Sequence, residues 1–283
     1  MGTCLQDIEL NDNNNKDENK KSFSKNNLIK NEEKLTIENF KIFYNSDQNE
    51  LENLEREKHI DGRPYSISFK KMKFYVNQME KSICKIKKSN NVSGTGFICK
   101  IIDNDNSVNI QALFTCNHIL DSNDIVQGSE ITLIFNNNII KNIKLLNNKT
   151  IYTNEDEYDI TIIEINKDDN LNDNDMLTVD QNIFNDQLYN YYKKRQIYII
   201  HYPKGNEIRY SCDLIKNIDI NDIIIEHLCS TDTGSSGAPI IDSETERVIG
   251  IHNGYNNVDR INYGTLIKNP VEEFIQKYKV NNS

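Results

Sequence analysis

Three short segments of this 283-residue chain carry groups suited to acyl transfer. Phe114–Leu120 (FTCNHIL) sets His118 directly after an apolar run. Tyr158–Ile163 (YDITII) places Asp159 at the head of a second run, and Gly234–Ile240 (GSSGAPI) holds Ser236 among small residues before a third. A serine hydroxyl is a weak nucleophile until an imidazole takes its proton, and the imidazole needs a carboxylate to fix its tautomer and stabilise its cation. Glycines beside Ser236 let the backbone turn, so that the N–H groups of Gly234 and Ser236 can point at one developing oxyanion. Losing one such donor costs about 2.7–4 kcal/mol of barrier stabilisation.

These residues need rigid elements behind them. From about Ser82 onward, short runs rich in Ile, Val, Phe and Tyr recur between Asn, Asp and Gly clusters, among them Gly96–Ile102, Ser107–Cys116, Ile197–Pro203 and Val248–His252. Their length and lack of helical period predict many short strands, hence an all-β sandwich or barrel. Only Pro270–Lys279 reads as a helix, with Val271, Phe274, Ile275 and Tyr278 on one stripe.

The chain order His, Asp, Ser differs from the orders of subtilisins and α/β-hydrolases. Together with Gly94–Phe97 (GTGF), the three segments resemble the trypsin-like, chymotrypsin-fold serine peptidases over roughly residues 78–280. The resemblance implies two six-stranded β-barrels with a C-terminal α-helix. It also implies His118 as general base, Asp159 as its orienting carboxylate, Ser236 as nucleophile, and Gly234 and Ser236 as the oxyanion hole. The reaction is then peptide-bond hydrolysis through an acyl-enzyme, with a polypeptide substrate and no cofactor or metal. Many secreted members of that family carry an Asp just before the nucleophile, which pairs with a newly cut N-terminus. Here Ser235 stands there, so activation by that salt bridge is not expected. The alternative is an inactive member of the same fold that binds extended peptides and is tethered by its N-terminus.

Six residues before Ser236, where trypsins hold a basic side chain with an Asp, the chain has Ser230. Gly250–Gly254 (GIHNG) resembles the pocket wall of V8-type glutamyl endopeptidases, which implies that Thr231 and His252, beside Ser230 and Gly254, receive an acidic P1 side chain. A carboxylate near His252 gains a charge-assisted hydrogen bond.

Composition bounds the rest. The formal charge of −10 argues against a nucleic-acid partner, which calls for a basic stripe. Residues 1–50 contain 11 Asn, 7 Lys and 10 acids, too polar to offset the entropy of ordering. The sequence therefore divides into a disordered polar leader and linker over 1–75, with 51–75 a linker or short docking helix, and a peptidase domain over 76–283. No run approaches a membrane span, and Met1–Leu10 lacks a secretory apolar core. An intracellular, cytoplasmic protein with reduced cysteines is expected. Membrane association enters only through acylation of Gly2 and Cys4 in Met1-Gly2-Thr3-Cys4, although Gln6 stands where the motif prefers Ser or Thr. Asn166–Asn185 is long enough either to cover a cleft or to be an inert insertion.

Overall fold

A computed structural model of the protein describes residues 66–88, 91–103, 108–185, 187–219 and 223–282. The polar leader, with Gly2 and Cys4, lies outside these residues. The described chain opens with helix α1 (Phe69–Lys81), started by Ser68, whose side chain accepts the Lys71 N–H as an N-cap. Tyr75 and Gln78, three residues apart, form its buried face. The expected boundary between residues 75 and 76 falls inside this helix.

The first sheet comprises β1 (Ile83–Lys88), β2 (Asn91–Ile102), β3 (Asn109–Thr115), β4 (Glu130–Phe135), β5 (Ile140–Lys144), β6 (Ile151–Asn154), β7 (Ile160–Glu164) and β8 (Leu177–Thr178). Its order is β5-β4-β1-β2-β3-β7-β6, with β8 added parallel to β2, and it curls into a half-barrel. The second sheet joins β9 (Gln196–His201), β10 (Arg209–Asp219), β11 (Ile224–His227), β12 (Pro239–Asp242), β13 (Val248–Asn256) and β14 (Ile261–Leu266) into a closed six-stranded barrel. A short helix α2 (Leu188–Tyr192) precedes β9, and α3 (Lys268–Asn281) closes the chain. The fold is mostly β with a C-terminal helix, and only the second of its two sheets closes.

Every residue of β9 is buried. A barrel strand normally shows one face to water, but α1 covers this one. The Tyr75 ring packs 4.5 Å from Tyr198 and 5.1 Å from Tyr210, and Tyr198 donates its hydroxyl to Gln78 Oε1 at 2.9 Å. Helix α3 buries Val271, Phe274 and Ile275. It packs back on the first sheet, where Tyr152 Oη donates to Glu273 Oε2 at 3.0 Å.

Asn166–Asn185 contributes no residue to the cleft that holds His118 and Ser236, and it does not hang free. Lys149 and Asp169, both buried, pair at its start. Further on, Val179 N donates to Lys100 O in β2 at 3.0 Å, and Asp180 N donates to Val248 O in β13 at 2.9 Å. The segment thus straps one sheet to the other. Five cysteines are described, all as free thiols, and four of them are buried. No described helix is long and apolar enough to cross a membrane.

Candidate active site

The two sheets meet along a cleft of about 640 Å³. His118 lies in the turn after β3, where Ile119 N and Leu120 N both donate to Cys116 O. Thr161 of β7 pins the turn by donating its hydroxyl to Leu120 O at 2.7 Å. Asp159 immediately precedes β7 with a φ of +47°, a left-handed conformation uncommon for a non-glycine residue. The cost is met by contacts at both carboxylate oxygens. His118 N donates to Oδ1 at 2.9 Å, and His118 Nδ1 meets Oδ2 at 2.7 Å. Burial pushes the Asp159 carboxyl up, but the hydrogen bonds from His118 and Asn253 outweigh it and hold the group below its ordinary value.

Ser236 comes from the other sheet, in the turn before β12. Its hydroxyl donates to Asn253 O at 3.0 Å rather than to His118. Both side chains line the same cleft, and a rotation about χ1 re-aims a serine hydroxyl without moving backbone.

The turn around Ser236 is defined by its backbone accounting. The carbonyls of Asp232, Thr233, Gly234, Ser235 and Ser236 all accept hydrogen bonds, from Ser235 N, Lys204 N, Thr95 Oγ1, Ala238 N and Thr95 N respectively. Thr233 N is taken by Asp232 Oδ1 and Gly237 N by His252 O. The N–H groups of Gly234 and Ser236 alone in this turn have no acceptor among the described residues. Because the Thr233 carbonyl is held by Lys204 and the peptide is planar, the Gly234 N–H points the opposite way. Gly237 is required here: its φ is +88°, and a Cβ on it would lie 2.0 Å from Thr95 O.

The residues expected around the substrate side chain are together. Ser230, Thr231, His252 and Gly254 line this cleft with His118, Gly234 and Ser236. Asp159 stands behind His118. Asp232 is on the rim but pairs with Lys204 at 3.1 Å. His252 is buried, with Nδ1 3.3 Å from Nε2 of the buried His227. Burial, then His227, hold His252 well below the ordinary histidine value, so both rings are neutral at pH 7. The Thr231 hydroxyl donates to Asn262 Oδ1 at 2.9 Å.

Sequence reasoning missed Asn253 and Asn262. Asn253 Nδ2 reaches Asp159 Oδ2 at 3.1 Å and Asp159 O at 3.2 Å. Its place next to His252 in the pocket-wall strand was the available signal. The Cys116, His118 and Asp159 donor atoms lie within 4.8 Å of one another. Burial, then Asp159, push the Cys116 thiol well up, so with no cation beside it the thiol stays protonated. A second cavity, of about 430 Å³, lies beside Tyr75 and Arg195 and contains neither Ser236 nor His118.

The sequence matches the trypsin-like peptidase domain over residues 94–251, more than half of the chain, and the chain belongs to that family. It is a serine-type endopeptidase, a hydrolase whose substrates are polypeptides. Solved structures of similar fold include the crystal structure of a serine endoprotease from Yersinia pestis, with a TM-score of 0.52 at 12% identity over 76% of this chain and 68% of that one. The HtrA-type protease AlgW with a decapeptide gives a TM-score of 0.51 at 13% identity over 73% and 68%. No curated protein sequence matches the chain.

Proposed function

We propose that peptide-bond hydrolysis runs through Ser236, His118 and Asp159. His118 Nε2 takes the Ser236 proton as Oγ attacks the scissile carbonyl, and Asp159 stabilises the resulting imidazolium through Nδ1–H. The oxyanion is received by the N–H groups of Gly234 and Ser236. His118 then protonates the leaving amine, and water, deprotonated by the same imidazole, releases the acyl group. The observation that carries this reading is the pair of N–H groups left without acceptors in a turn whose carbonyls are all engaged. The hydroxyl's present bond to Asn253 is consistent with it, since catalytic hydrogen bonds often align only when substrate is bound.

The pocket reading is an acidic P1 residue held by Thr231 and His252. Support comes from the hydroxyl and imidazole that line the cleft, and from the ion pair that offsets Asp232, the one carboxylate among the described residues lining it. An arriving carboxylate draws a proton onto His252. Acylation of Gly2 and Cys4 is the accompanying reading for membrane association, and mass spectrometry of the native N-terminus checks it.

Labelling with a fluorophosphonate tests the nucleophile: the native chain is modified on Ser236 and Ser236→Ala is not. Folded native protein that resists labelling would favour a peptide-binding role. Profiling P1 with a peptide library tests the pocket, and a profile without Glu or Asp enrichment removes the acidic preference.

A further inference from the structure

His201 takes no part in the steps above, yet it is buried directly behind them. It ends β9 with 3% of its surface exposed, and its Nδ1 lies 2.7 Å from the hydroxyl oxygen of Ser235. Ser235 precedes the nucleophile and is itself fully buried. The same oxygen accepts the Asp232 N–H at 3.0 Å. The Asp232 N–H takes one lone pair of that oxygen, and no other acceptor for the serine proton stands among the described residues, so the proton is assigned to Nδ1 and the neutral ring carries its own on Nε2. The charges around the ring fit this state. Burial, then Arg209 on the neighbouring strand, bring the His201 pKa down to about 4 against the opposing pull of Asp232.

The hydroxyl therefore closes a turn. Ser235 N donates to Asp232 O at 2.9 Å, and Asp232 N donates back to Ser235 Oγ. Gly234 lies inside that doubly closed loop, and Ser236 follows it directly. A buried serine has three χ1 wells, and the bond to His201 selects the one that completes the second closure. Without it the turn keeps one closure, and the two unpaired N–H groups lose their common aim.

We propose that His201 is a positioning residue for the oxyanion hole, acting through the Ser235 hydroxyl to keep the N–H groups of Gly234 and Ser236 converged on one point. The proposal rests on the reading of Ser236 as nucleophile. It gives the position before the nucleophile a neutral hydrogen bond from inside the barrel, so the hole is assembled without a new N-terminus.

The test compares the native full-length chain with His201→Leu, His201→Asn and Ser235→Ala. Three quantities are read: kcat and KM on fluorescent casein, the fluorophosphonate labelling rate, and affinity for a peptide trifluoromethyl ketone, whose hemiketal places an oxyanion in the hole. His201→Leu and Ser235→Ala are expected to lower kcat and labelling on the order of 10²-fold, the size of a 1 Å misplacement. KM should stay within about twofold, and the ketone should weaken in parallel with kcat. His201→Asn, which sets an amide oxygen where Nδ1 was, recovers most of the activity. The double variant His201→Leu/Ser235→Ala is no worse than either single one, because both cut the same connection.

Unchanged kcat in Ser235→Ala overturns the proposal, as does a loss carried by KM with ketone affinity intact. Should His201→Leu fail to fold, Ser235→Ala, which deletes one oxygen, decides alone. A native chain that is folded but unlabelled overturns the nucleophile reading instead, so the two failures are distinct.

Discussion

The hydroxyl of Ser236 donates to the backbone carbonyl of Asn253 at 3.0 Å, while the side-chain amide of Asn253 donates to Asp159 at 3.1 Å. One residue of β13 thus touches both ends of the constellation, the Ser236 hydroxyl from one sheet and the Asp159 carboxylate from the other. Asn253→Ala removes the amide and leaves the carbonyl. The expected result is a fall in kcat on the order of 10-fold with KM little changed. Asn253→Asp places a second carboxylate beside Asp159, which raises the carboxyl pKa of the pair. The acid limb of its kcat profile moves to higher pH, a change that mere loss of packing does not produce.

Gly237→Ala is expected to destabilise the fold by about 3 kcal/mol or more, from the left-handed backbone and the contact together. Its φ is +88° and the added Cβ meets Thr95 O at 2.0 Å, an oxygen already held by Thr115 Oγ1 at 2.9 Å. Urea unfolding measures the loss, and a midpoint equal to that of the native chain contradicts it.

The buried histidines make stability depend on pH in one direction. His201 and His227 each fall from an ordinary value of 6.5 to about 4, chiefly by burial, with Arg209 acting on His201 and His201 on His227. The unfolded chain therefore takes up these protons first as the pH drops. Stability is fully present above pH 6.5 and is lost between 6.5 and 4, by about 3 kcal/mol for each histidine. Thermal melting at pH 7, 6, 5 and 4.5 reads this slope, and His227→Leu should flatten it. A melting temperature constant across that range contradicts the assignment.

Lys149 and Asp169 pair with side-chain exposures of only 1% and 4%. Lys149 Nζ also donates to Glu164 O at 3.1 Å. Lys149→Met leaves the Asp169 carboxylate buried without its cation and is expected to cost about 3–5 kcal/mol, most of it recovered in Lys149→Met/Asp169→Leu. Chemical denaturation of the three chains is the check.

A chain starting at Ser66 is expected to keep its melting temperature, and one starting at Ser82 to lose several degrees. The second deletes Tyr75, which is 2% exposed against Tyr198 and Tyr210, and burying a side chain of that size contributes about 1.5–3 kcal/mol.

The strands of the second barrel were legible because burial follows composition there: Ile197–Ile200 and Val248–Ile251 are apolar and fully buried. The His118, Asp159 and Ser236 segments were legible for a related reason, each being a polar residue at the edge of such a run. Strand β5 was missed because it is an edge strand, with Ile143 alone buried in Ile140–Lys144. Helix α1 was anticipated only as a linker or short docking helix over 51–75, because its packing face is Tyr75 and Gln78 while Phe69, Met72, Phe74 and Val76 point outward, a pattern with no clear apolar stripe. Asn253 escaped notice because its role is set by two contacts in three dimensions, neither implied by local spacing. The hydrogen bond between Ser235 and His201 spans 34 positions of sequence and joins two residues with no motif between them.

The strap through Val179 has a mechanical consequence. Backbone bonds at 3.0 Å to Lys100 and 2.9 Å to Val248 fasten it to both sheets within two residues. Opening the halves like jaws would have to shear those bonds together. The backbones that carry His118 and Ser236 are thereby held in one register, and only side-chain rotation is left to change the distance between imidazole and hydroxyl.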